Sequence, residues 1–121
     1  MSLLLLACSE NGDSQTVADQ FVRAYFVEDN MAEVVKLASG SAKTKLERYL
    51  REIEASGTTA AAEDKPHVKT TLRETQPISE NDVRYVYRVT AEESGIDPIT
   101  AELWLSKEGG TWYVSKFVQQ Q

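Results

Sequence analysis

The spacing of apolar residues changes once along this chain, from a period of three to four to a period of two, and that change fixes the class of fold. In TVADQFVRAYFVEDN, Val17, Phe21, Ala24 and Tyr25, with Val22 and Phe26 beside them, form one wide stripe at helical spacing. Ser14 or Thr16 is placed to cap its start, and Asp19 sits in the favourable first turn. Asn30 followed by Glu33 has the spacing of a capping box and predicts a second, short helix, NMAEVVKLASG, with Gly40 as its stop. A third helix, SAKTKLERYLREIEASG, turns Leu46, Tyr49, Leu50 and Ile53 one way and ends at Gly57.

After TTAAAEDKP the period is two. HVKTTLRET alternates loosely, with Val68, Thr70 and Leu72 on one face and Glu74 sharing it. DVRYVYRVTA alternates more strictly. Val83, Tyr85, Tyr87, Val89 and Ala91 face one way, Arg84, Arg88 and Thr90 the other, and Val86 is the exception. ITAELWLS sets Ile99, Ala101, Leu103 and Leu105 against Thr100, Glu102, Trp104 and Ser106, and KEGG then predicts a tight turn into the returning strand TWYVSKFVQ. The outward aromatics Trp104 and Tyr113 are candidate cross-strand neighbours. An alternating sheet must cover its apolar face, and the amphipathic helices are the material available to cover it. The expected fold is α+β: three N-terminal helices packed on a curved antiparallel sheet of about four strands.

A chain of 121 residues fits one domain. Its net charge of -6 argues against nucleic acid, whose binding needs a concentrated basic surface. The domain is assigned to residues 16–121. Before it, residues 9–15 (SENGDSQ) contain no apolar side chain, so ordering them would gain no burial to offset the entropy lost, and they read as a flexible tether. The opening MSLLLLAC is far shorter than the roughly 20 apolar residues that span a bilayer.

Cys8 is the single cysteine, so an internal disulfide is excluded. As a nucleophile it would need a held base, which a residue beside an unstructured tether lacks. As a metal ligand it lacks company, the chain having one histidine, His67, and no second thiol. An apolar N-terminal strand or tail is the plain alternative. Leu5-Leu6-Ala7-Cys8, however, resembles the lipobox of bacterial lipoproteins, with a leucine three before the cysteine and a small residue directly before it. That resemblance implies lipidation at Cys8, membrane attachment and a place in the bacterial cell envelope. Ser9 is compatible with the periplasmic face of the outer membrane. Leu6 stands where a smaller or β-branched residue is usual, no basic segment precedes the leucines, and the apolar run is shorter than the roughly 7–15 residues of a signal core. Residues 1–8 are therefore expected to be the remnant of a longer lipoprotein signal peptide.

The stretches VADQFVRAYFVEDNMAEVVKLAS and LWLSKEGGTWYVSKF resemble the NTF2-like (cystatin-like) α+β cone, and in particular its small lipobox-bearing bacterial members of the DUF4878-like kind, over about residues 16–119. The resemblance implies a pocket between sheet and helices, which some members use for isomerase or dehydratase chemistry. Tyr25, Tyr49, Tyr85 and Tyr87 are the candidate pocket hydroxyls, and Glu74 is the candidate inward carboxylate. A tyrosine series at this spacing is more commonly amphipathic core. His67, after Pro66 at a strand entrance, reads as a solvated or capping residue. Arg84 and Arg88, with Lys69 and Arg73 across from them, form either a basic patch for an anionic partner or an ordinary outer face matched by Glu102. With Trp104 and Tyr113, the two arginines are the candidate interaction surface.

No catalytic set, metal site or cofactor motif emerges from the sequence. The expected function is a non-catalytic, lipid-anchored envelope domain binding a small molecule, peptide or protein. One alternative is an NTF2-like enzyme of the isomerase or dehydratase type using the pocket. Another is a structural or assembly partner using the outer sheet face.

Overall fold

The structure, a computed structural model, describes residues 14–56, 68–91 and 97–120. Cys8, Gly57 and His67 lie outside the described residues. The element order is α1 (residues 14–22, continuing into a π-helical turn at Arg23–Val27), α2 (Met31–Lys36), α3 (Gly40–Ser56), then β1 (Val68–Ser79), β2 (Asp82–Ala91), β3 (Ile99–Glu108) and β4 (Thr111–Gln120). The strands pair in the order β1-β2-β3-β4, each antiparallel to the next. This is the α+β arrangement that the change of period predicts.

The helices bury the centre of the stripes their sequences offer, while in the third Leu50 and Ile53 are half-buried and Tyr49 is exposed. Ala18, Phe21, Val22 and Ala24 of the first helix, Met31 and Val34 of α2, and Ala42 and Leu46 of α3 are buried against Val83, Tyr85, Tyr87, Val89, Ala101, Leu103, Leu105, Trp112 and Val114 of the sheet. The capping box forms, with the Glu33 backbone N–H donating to Asn30 Oδ1 at 3.3 Å. Gly40 separates α2 from α3 in the left-handed region, at φ 59°, and belongs to the start of the third helix. The helix also reaches further forward than its polar lead-in suggests. Ser14 and Gln15, assigned to the tether, are helical, because the buried Ser14 hydroxyl is hydrogen-bonded to Tyr85 Oη at 2.7 Å.

Three local irregularities set the shape. At Arg23–Val27 the helix widens, with the Glu28 N–H donating to Arg23 O at 2.9 Å, five residues back. The wide turn keeps Ala24 buried while presenting both Tyr25 and Phe26 to Phe117, at ring-centroid distances of 5.0 and 6.2 Å. In β1, Arg73 is an extra residue: Leu72 pairs with Tyr87, yet Glu74 pairs with Val86. In β4, Ser115 is extra, since Val114 pairs with Leu105 and Lys116 with Trp104. That bulge carries Val114 and Phe117, three residues apart, onto the same inner face, which a regular strand cannot do. The edge of β4 is covered at Val114. Its N–H donates to Leu37 O at 2.8 Å, and its carbonyl accepts from Ser39 N–H at 2.9 Å, so the α2–α3 connection closes the strand.

Candidate functional site

The inner face divides the candidate tyrosines between three clefts. Tyr85 and Tyr87 both point toward the helices and hold α1 to β2: Tyr85 through Ser14, Tyr87 by donating its hydroxyl hydrogen to Asp19 Oδ1. Tyr87 lines a polar cleft of about 300 Å³ with Gln15, Asp19, Arg23, Thr70 and Leu72. Tyr85 lines another, of about 290 Å³, near the β1–β2 turn. Tyr25 and Tyr49 come together in the third.

Burial, the hydrogen bond donated to Asp19 and the charge of that carboxylate all hold the Tyr87 proton well above the ordinary tyrosine range. As pH rises past 10.0 the unfolded chain's tyrosine ionises while folded Tyr87 stays protonated, so stability is lost there, by up to about 1.4 kcal/mol per pH unit. Urea unfolding at pH 9, 10 and 11 should therefore show a shallower alkaline decline for Tyr87→Phe than for the unmodified protein. Parallel declines would mean that Tyr87 titrates alike in both states.

The cleft holding Tyr25 and Tyr49 lies between the π turn, α3 and the end of β4. It has a volume of about 310 Å³ and is lined by Tyr25, Ala42, Lys45, Leu46, Tyr49, Phe117 and Gln119. Its apolar wall starts from Phe117, whose ring takes edge contacts from Phe21 and Tyr25, each at 5.0 Å between centroids. Ala42 and Leu46, one turn apart on α3, extend it. Polar groups sit at the rim. Gln119 Nε2 donates to Tyr25 Oη at 2.7 Å, which occupies that oxygen as an acceptor and leaves its own O–H as a donor. Burial pushes the Tyr25 hydroxyl above its usual range, the Gln119 bond partly offsetting it and the nearby Tyr49 adding to it, so Tyr25 stays a neutral donor at physiological pH. Tyr49 is 46% exposed on the lip of the cleft.

The remaining candidates lie elsewhere. Glu74 does not face inward as its alternation suggests. The bulge at Arg73 turns it to the outer face, where it pairs with Arg84 at 3.2 Å. Arg84 also binds Glu102 at 2.6 Å and Gln76 at 3.1 Å and lies over the Trp104 ring, 5.4 Å from its centroid. Its charge is thus met within the sheet. Arg88 stands opposite Thr71 and Thr100, and Lys69, opposite Thr90, lies diagonal to it on the same outer face. Trp104 and Tyr113 are both on the outer face but are not paired. Trp104 is opposite Lys116, whose Nζ lies 4.7 Å from the ring centroid, and Tyr113 is opposite Ser106. Among the described residues no three His, Cys, Asp or Glu side chains converge as a metal site.

Sequence reasoning missed Ala42, Lys45, Leu46, Phe117 and Gln119 as one wall. Phe117 and Gln119 reach it only through the β4 bulge, which no turn residue announces. Lys45 carries a faint signal. Its neighbours on the helix surface, Ser41, Ala42, Arg48 and Tyr49, include no acid in a chain of net charge -6.

No protein-family model matches the chain, and no curated protein matches it. Among solved structures, it is similar to an NTF-2 like protein of unknown function from Shewanella oneidensis MR-1, with a TM-score of 0.66 and 10% sequence identity over 92% of this chain and 98% of that one. A likeness at that identity is one of fold, and it agrees with the layout built up from the residues: the chain has the α+β NTF2-like fold, three N-terminal helices against a four-stranded antiparallel sheet.

Proposed function

We propose that the domain is a non-catalytic binding module that takes a small, largely apolar molecule into the cleft between the π turn, α3 and β4. One observation carries the reading: a wall of Phe117, Leu46 and Ala42 is joined to a few polar groups at the rim, Tyr25, Gln119 and Tyr49. Ligand sites in proteins commonly combine an apolar lining with few orienting polar groups, and about 310 Å³ is at the small end of their range. An occupant of one or two rings, or a short acyl chain, suits it. Isomerase-type proton abstraction needs a carboxylate or imidazole in reach of the substrate. None of the seven lining side chains supplies one. Titration of the folded protein with 1-naphthalenemethanol, followed by the probe's fluorescence, should give saturable binding. A linear, unsaturable response would defeat the reading.

The module is further proposed to be carried on a lipid anchor at Cys8 in the bacterial cell envelope. The support is the lipobox-like Leu5-Leu6-Ala7-Cys8 and the polar residues after it. A complete lipoprotein modification carries more than one acyl chain, and such anchoring is stable where a single chain binds marginally. Expressed behind a complete signal peptide, the membrane-extracted protein should show an intact mass raised by acyl groups, lost in Cys8→Ser. An unmodified mass in both would contradict the anchor.

A further inference from the structure

We propose that the occupant of the Tyr25–Tyr49 cleft is an anion: a small aromatic or aliphatic carboxylate, with its apolar body against Phe117 and Leu46 and its charged head at Lys45. The proposal rests on the binding reading above and adds the sign of the charge. Lys45 is the one ionisable group other than the two tyrosines among the seven lining residues. It makes no hydrogen bond or salt bridge to any described residue.

Its surroundings reinforce the charge. On α3 the positions one turn before and after it are Ser41, Ala42, Arg48 and Tyr49, which bring a second cation and no carboxylate. The other helical lysines, Lys36 and Lys43, each have a glutamate at helical spacing, Glu33 and Glu47, whereas Lys45 has none. The donors around the cleft point to the same chemistry. The Tyr25 hydroxyl accepts from Gln119 and so offers its hydrogen outward, Tyr49 offers a second hydroxyl, and Lys45 is a donor only. An apolar wall with a cation and two hydroxyl donors at its edge complements a carboxylate. An ammonium in the same place would be repelled by Lys45 and would find only neutral acceptors, the tyrosine hydroxyl oxygens and the Gln119 carbonyl.

The test uses three probes that share a ring system and differ in charge: 1-naphthoate, 1-naphthalenemethanol and 1-naphthylmethylammonium. At low ionic strength the carboxylate should bind about three- to tenfold more tightly than the alcohol, and the amine more weakly than either. Raising the salt concentration should erode the preference, because the head group is near solvent. Lys45→Met keeps the stem and removes the charge, and it should bring the carboxylate-to-alcohol ratio close to one. Lys116→Met, on the outer face, should leave that ratio as it was. Equal binding of carboxylate and alcohol to the unmodified protein would overturn the anion assignment while leaving the binding site standing. A preference that survives Lys45→Met would overturn the role of Lys45. Failure of all three probes would overturn both the assignment and the function on which it rests.

Discussion

Phe21→Ala should lower the free energy of unfolding by about 3–5 kcal/mol, the largest stability loss expected from a single truncation in this domain. Phe21 is fully buried in the first helix, faces the sheet and meets the Phe117 ring edge-on at 5.0 Å. Truncation removes its transfer free energy and leaves a cavity, because the rings around it are held from three sides. Tyr25 and Phe26 are fixed by the π turn and Phe117 by the bulge in β4, so none can move in to fill the space. A domain of this size has a total stability of about 5–15 kcal/mol, so the variant should be partly unfolded at physiological temperature. Urea unfolding measures the loss directly. Val27→Ala, at a residue 44% exposed, should change stability by no more than about 0.5 kcal/mol. Similar losses in the two variants would mean that the aromatic cluster is not the centre of the core.

Gln119→Trp should lower affinity for 1-naphthalenemethanol at least about tenfold, a change of about 1.4 kcal/mol, with little effect on folding. Gln119 is exposed and lies two residues beyond Phe117 on the same face of β4, at the mouth of the cleft. An indole there would lie over Tyr25 and take the space a one- or two-ring ligand needs. Surface substitutions of this kind usually leave stability almost unchanged, so a binding loss without a melting shift would separate blockage from unfolding. Gln119→Ala loses the same bond to Tyr25 without filling the cleft and should weaken binding less. If the tryptophan variant binds the probe as well as the unmodified protein, the occupied site is elsewhere.

The residues differ in how far they announce their places. The alternation of Val83, Tyr85, Tyr87 and Val89 is strict, and all four are buried, because β2 is an interior strand with regular pairing to β3. The stripe through Phe21 and the capping box at Asn30 are equally legible, being local consequences of helical spacing and of one side-chain hydrogen bond. Glu74 and Phe117 are not. Each lies beyond an extra residue, Arg73 or Ser115, after which every side chain moves to the other face. Neither residue is a glycine or proline, so the period alone gives no warning. The π turn is hidden for a related reason: one added residue leaves Ala24 and Tyr25 at plausible helical spacing while changing which rings meet Phe117. Since the cleft is built where the π turn and the β4 bulge face each other, its tyrosines were visible from the sequence and its wall was not.

Backbone and side-chain NMR shifts mapped during titration with 1-naphthalenemethanol will show whether this cleft is where the domain binds. The largest changes should fall at Tyr25, Lys45, Leu46, Tyr49, Phe117 and Gln119. Changes centred instead on Asp19 and Tyr87, or on Arg84, Trp104 and Lys116 of the outer face, would contradict binding in this cleft.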